Sequence, residues 1–191
     1  MEESPLSFDV IETPLGVVGF SCRLGGGKAQ VDLRVGPIKP DLPAHFPPVT
    51  LWAAVWQVVA REPVPEVTLT AALTGIPDDA VGDYDTGERL AAFTFETADV
   101  AVTLGGPDFE SVREDAESGE HMPGRWVDEL DEFTVEMAEP ARLIWRLPGL
   151  EPGESVRLAV AVAWAEPSEE YLTTYSAVSV STDYAVRQLA H

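Results

Sequence analysis

The stretch "DDAVGDYDTGE", residues 78 to 88, crowds five carboxylates into one short run: Asp78, Asp79, Asp83, Asp85 and Glu88. Oxygen donors at that density suit a hard divalent cation such as Ca²⁺, and Asp83-x-Asp85-x-Gly87 matches part of a calcium loop. The EF-hand spacing is not met. An acid is missing at its fifth position, no bidentate Glu stands at its twelfth, and Leu90 to Phe95 reads as a strand. The expectation is a solvated turn between strands that binds Ca²⁺ weakly at most, and no motif calls for any other cofactor.

A second acidic stretch runs from Asp108 to Glu139, with twelve carboxylates against two arginines. Its last part, "EFTVEMAE", alternates as a strand would, with Phe133, Val135 and Met137 inward and Thr134 and Glu136 outward. The part up to Asp131 shows no alternation and reads as an acidic loop, inserted at about 106–131 and carrying Trp126. That indole either anchors the loop onto the body of the protein or faces solvent as the hot spot of an interface. As a docking surface, the loop would use Trp126 as anchor and Asp128, Glu129 and Asp131 as steering charges, with Glu114 and Asp115 beside them.

The remaining chemical motifs fail on spacing. "GGGK" at 25 to 28 is followed by Ala29 and a strand, where a phosphate-binding loop needs GK[ST] opening a helix; a hairpin turn accounts for it better. "GFSCR" around Ser21 lacks the second glycine of a nucleophile elbow. His45, His121 and His191 are too far apart in sequence to form a local zinc pair, and Cys22 reads as a small buried hydrophobe.

The elements that must position these groups are strands. In "GESVRLAVAVAWA", Val156, Leu158, Val160, Val162 and Trp164 share one face, whereas a helix would scatter them. Its other face is mostly alanine, so a further layer should cover it. The same alternation recurs at Val31/Leu33/Val35, Val67/Leu69/Ala71/Leu73 and Phe93/Phe95. "LWAAVWQVVAR" also fits a helical stripe; its length and its Val and Trp content favour a strand, with a short helix across one end of the sandwich as the alternative. About ten short strands separated by Gly/Pro turns predict an all-β, mainly antiparallel sandwich with one or two short helices at most, immunoglobulin-like or jelly-roll-like, in a single domain over 1–191. From Arg142 to Trp164, "RLIWRLPGLEPGESVRLAVAVAW" resembles the strand, L-x-PGE turn and strand of prokaryotic immunoglobulin-like modules. That resemblance covers about an eighth of the chain, implies a structural hairpin and transfers no functional residue.

Charge narrows the function classes. A net charge of −21 excludes nonspecific binding to nucleic acid or anionic lipid, which needs clustered Lys and Arg. "MEESPLSFDV" lacks the cationic start of a secretory signal, and Val49 to Ala60 is too short to span a bilayer, so a soluble cytoplasmic protein is expected, with no membrane partner. The functional expectation is a non-catalytic binding protein that docks a basic protein partner, as an immunity protein or inhibitor does. The alternatives are a structural subunit of a larger assembly, a surface layer, phage-like particle or tail, and, behind it, a cation-dependent enzyme built on the acidic turns.

Overall fold

The computed structural model describes residues 5–8, 10–87, 89–168 and 172–190. They form two antiparallel sheets of six strands each. The first holds β1 (Leu6–Ser7), β2 (Ile11–Thr13), β3 (Gly16–Leu24), β6 (Val64–Thr74), β10 (Val135–Ala138) and β11 (Arg142–Leu150), in the order β1-β3-β6-β11-β10 with β2 also on β3. The second holds β4 (Ala29–Pro37), β5 (Thr50–Ala60), β7 (Val81–Gly87), β8 (Leu90–Glu96), β9 (Ala101–Pro107) and β12 (Ser155–Ala165), in the order β4-β5-β12-β9-β8-β7. Three short helices complete the described chain: α1 (Phe109–Ser118), α2 (Thr173–Val178) and α3 (Thr182–Leu189), with a 3-10 turn at Gly124–Asp128. This is the all-β sandwich that the alternation predicts. None of the described helices is long and apolar enough to cross a membrane.

The two-residue period sets the core. Val67, Leu69, Ala71 and Leu73 of β6 face Trp56, Val58, Val156, Leu158, Val160 and Val162 of the other sheet, all of them buried. Two tryptophans sit at the centre: Phe20 meets Trp56 edge-on at 5.5 Å between ring centroids, and Trp56 lies 6.1 Å from Trp145. Such aromatic pairs favour these inclined geometries because the ring edge is positive and its face negative. The Trp145 indole N–H donates to the Pro107 carbonyl at 2.9 Å, so this residue buries no unpaired donor.

The alanine face of β12 is covered, as its composition requires. Ala159, Ala161 and Ala163 form a second buried cluster with Ala53, Val55, Ala177, Val178 and Ala185, so α2 and α3 make a third layer over the second sheet. Small side chains let the helices approach closely. At Gly105 a Cβ would stand 2.6 Å from Val178 Cγ2, so glycine there sets how near α2 can lie. Residues 50–60 form β5, a central strand, which decides between strand and helix for "LWAAVWQVVAR".

Several local expectations need correction. "GGGK" is not a hairpin, because β3 pairs with β6 and β4 with β5; the turn carries the chain from one sheet to the other. Its glycines are still required: Gly27 has φ +73°, and a Cβ there would meet the Pro63 carbonyl oxygen at 2.0 Å. "PGLEPGE" is likewise a crossover, with β11 on β6 and β12 on β5 and β9, so the immunoglobulin-like segment makes no hairpin. Residues 81–87, expected in a turn, form the edge strand β7. Residues 109–118, expected in a loop, form α1. Asp108 caps its N-terminus by accepting from Ser111 N–H at 2.9 Å, Gly119 ends it in the left-handed conformation at φ 68°, and Val112 and Ala116 bury one face.

Candidate binding cleft

A cleft of about 360 Å³ opens on the outer face of the second sheet where α2 stops short of the β7 edge. Strand register builds it. Asp83 pairs with Thr94 and Val81 with Glu96, and Thr94 and Glu96 in turn pair with Thr103 and Ala101. Residues opposite one another in a pleated pair share a face, so Val81, Asp83, Asp85, Thr94, Glu96 and Ala101 all point the same way.

Hydroxyl groups fasten the floor to the wall. Thr94 and Thr103 hydroxyls lie 2.9 Å apart, and Thr103, fully buried, donates to Thr174 of α2 at 2.7 Å. The Tyr175 hydroxyl donates to the Gly87 carbonyl at 2.9 Å, tying the same helix to the end of β7. Three segments of the second sheet and one helix are thereby held in fixed relation. The edge strand itself is partly capped, because the Asp83 carboxylate accepts from the Tyr84 backbone N–H at 2.8 Å and occupies a group that another strand would use.

The chemistry of the lining is one-sided. Asp83, Asp85, Glu96 and Glu166 contribute four carboxylates, and no Lys, Arg or His is among the described residues that line the cleft. Val81 and Leu172 stand at its rim with 74% and 71% of their surface exposed, while the Tyr84 ring lies on the opposite face of β7, 6.4 Å from Phe93. Carboxylates flanked by exposed apolar side chains suit a ligand that is both cationic and apolar.

The sequence-predicted docking residues are dispersed. Trp126 is not an exposed anchor: it is fully buried, and its indole N–H donates to the Gly149 carbonyl at 2.9 Å. The reason is local. Pro123 and the 3-10 turn at 124–128 fold the indole under the sandwich, while Arg125 points outward to Glu154 through Nε at 3.1 Å and Nη2 at 2.8 Å. Glu129 is spent on Arg125 at 2.7 Å and Glu114 on Arg89 at 2.7 Å, so neither is a free steering charge. Asp115 lies half-buried at the contact of α1 with α3, and burial raises its pKa. Asp128 and Asp131 are exposed. The Asp131 carboxylate accepts from the Phe133 N–H at 2.9 Å, and that turn reverses the expected facing: Phe133 is 72% exposed and Thr134 buried, with the inward alternation beginning at Val135.

Of the proposed cation ligands, Asp83 and Asp85 share the cleft face of β7, Asp78 and Asp79 occupy the turn before it, and Glu88 lies outside the described residues. A straight strand does not wrap its acids around one ion as a calcium loop does. Burial also settles the cysteine: the Cys22 thiol lies in the core and its pKa is pushed up to about 12, so no thiolate is available near neutral pH. The residues missed from sequence are Glu96, Glu166 and the α2 wall, which lie apart in the chain and meet only through strand order. Equally invisible was the pairing of His121 with Asp183, whose Nε2 and Oδ1 are 2.8 Å apart across 62 residues.

No family model matches the chain, and no curated protein matches it. Among solved structures it is similar to a chain described as "Putative kojibiose phosphorylase from human microbiome", at 8% identity and a TM-score of 0.41 over 90% of this chain. This chain spans only 20% of that one, and nothing about the function is built on a likeness of that size.

Proposed function

We propose that the protein is a non-catalytic binding protein that docks a basic protein partner, as an immunity protein or inhibitor would. Lys and Arg side chains of the partner enter the cleft between β7, β8 and α2. One observation carries this reading: four carboxylates, with no cationic residue among the described lining, lie beside the exposed side chains of Val81 and Leu172. The partner's stems and apolar residues lie along Val81 and Leu172 while its charges meet the acids. The net charge of −21 adds a long-range attraction that speeds encounter and weakens as salt rises. A catalytic role finds less support, since the Thr94 and Thr174 hydroxyls are both bonded to Thr103 and no imidazole is among the described lining residues to act as a base.

The test is capture from the native lysate at low and high ionic strength, followed by affinity measurement with the purified partner. The variant Asp83→Asn/Asp85→Asn/Glu96→Gln is compared with Asp128→Asn/Glu129→Gln/Asp131→Asn. The reading expects the cleft variant to lose affinity by at least tenfold and to lose most of its salt dependence, while the second variant binds as the parent does. Equal binding by all three, or no partner at either ionic strength, would refute it.

A further inference from the structure

We propose that Glu120, His121 and Asp183 form a binding site for a divalent transition metal of the Zn²⁺ class, joining the segment after α1 to the first turn of α3. One atom from each residue is available as a ligand, and the three lie within 4.8 Å of one another. They share no residue with the acidic cleft, so this site stands or falls separately from the docking surface.

The histidine distinguishes this group from an ordinary patch of surface acids. Its ring is more than nine-tenths buried, at 8% exposure, yet Nε2 faces the Asp183 carboxylate while Nδ1 has no hydrogen-bond partner. A buried imidazole ordinarily satisfies both nitrogens. Here only Asp183 decides which nitrogen carries the proton. A metal on Nε2 puts the ring proton on Nδ1, where no protein acceptor meets it, and the bonds from the ion to Nε2 and to the Asp183 carboxylate must offset that cost. Zinc bonds to nitrogen and oxygen of about 2.0–2.2 Å place tetrahedral donors roughly 3.4 Å apart. Small rotations of the exposed Glu120 and the half-exposed Asp183 reach that spacing without moving the buried ring.

Charge points the same way. Asp115 lies half-buried beside the group, its carboxylate 3.5 Å from the Thr182 hydroxyl next to Asp183, and adds a third carboxylate. The carboxylates of Glu120, Asp183 and Asp115 lie around one imidazole, and a divalent ion there would offset their negative charge. An imidazole ligand favours Zn²⁺, Co²⁺ or Ni²⁺ over the hard ions Ca²⁺ and Mg²⁺, and the fourth position is left for water. Bound there, the ion would cross-link α1 and α3, which otherwise meet through the His121–Asp183 bond and a long Thr182–Asp115 contact of 3.5 Å.

The experiment is thermal unfolding of the untagged protein after chelator treatment, with 0.1 mM-range ZnCl₂, MgCl₂ or CaCl₂, together with the visible spectrum on adding Co²⁺. A site of micromolar affinity predicts a Zn²⁺-dependent rise in Tm on the order of 5–10 °C, absent with Mg²⁺ and Ca²⁺. It also predicts the intense absorption of four-coordinate Co²⁺. Both signals should be lost in His121→Gln and in Glu120→Gln; the latter alters only an exposed side chain and so remains folded. An unchanged Tm with Zn²⁺, an equal rise with Mg²⁺, or an undiminished Zn²⁺ response in Glu120→Gln and His121→Gln would overturn the proposal.

Discussion

Trp126 is the residue at which the two sequence readings, an anchor that holds the loop to the body and an exposed hot spot, lead to opposite experiments, and its burial selects the first. An exposed anchor would cost partner affinity when truncated and leave stability alone; a buried one does the reverse. The indole has no exposed surface and belongs to the main core together with Val112, Ala116, Met122 and Leu130. Replacing such a side chain by Ala removes its transfer energy and leaves a cavity, a loss of about 3–5 kcal/mol. The lost hydrogen bond adds little, because Arg125 Nη2 also donates to the Gly149 carbonyl, at 2.7 Å, and keeps that oxygen satisfied. For a chain of this size each kcal/mol moves Tm by about 2–4 °C, so Trp126→Ala should melt roughly 6–20 °C lower. Trp126→Phe retains most of the volume and should lose about 1–2 kcal/mol. Urea unfolding followed by far-UV circular dichroism gives the comparison, read as a lower midpoint at an unchanged slope. Partner affinity per folded molecule should not change. A Trp126→Ala protein within about 1 kcal/mol of the parent that has lost its partner would refute the burial argument.

Three further outcomes follow from the same coordinates. Gly106→Ala places a Cβ 2.5 Å from Cζ2 of the fully buried Trp145 and should destabilise by about 1–3 kcal/mol, whereas Gly19→Ala meets nothing within 4 Å and should lose no stability; denaturant midpoints compare the two. Cys22 should resist thiol reagents at pH 8 until the protein unfolds, since burial holds its thiol protonated; labelling of the native protein faster than its unfolding rate would contradict this. Glu154 has its pKa lowered first by its hydrogen bonds to Arg125, so its contribution is present above the ordinary carboxylate value near 4.5 and is lost as pH falls through the lowered folded value. Glu154→Gln should therefore be less stable than the parent at pH 7 by about 1–2 kcal/mol, a gap that closes as the carboxylate is protonated at acid pH in parallel urea titrations.

Strand positions were legible because burial on a pleated surface repeats every two residues, and Val156 to Val162 or Val67 to Leu73 could belong to nothing else. Strand partners were not. Gly25 to Lys28 and Pro148 to Glu154 have the composition of hairpin turns, yet both cross between sheets. A tight turn needs positive φ and few side chains whichever sheet receives the next strand, so turn chemistry alone cannot choose between the two. Helix α1 was legible in retrospect: Asp108 stands three residues before Ser111, Gly119 follows the last turn, and Val112 and Ala116 are four apart. Its acidity obscured those signals.

The acids illustrate why density along a chain is a poor guide to a site in space. In the richest run, 108–139, Glu114, Glu117, Glu129 and Glu136 all lie beside an arginine, and Asp108 is consumed by a helix cap. A run that long folds into helix, turn and strand, where neighbours in sequence point in different directions and several meet separate partners. The cleft draws its four carboxylates from β7, β8 and the end of β12, segments separated by up to 83 positions between Asp83 and Glu166. Strand pairing sets such groups a few ångströms apart on one face. The proposed docking of a basic partner rests on that placement, four carboxylates on one face beside exposed Val81 and Leu172, and not on the density of acids along the chain.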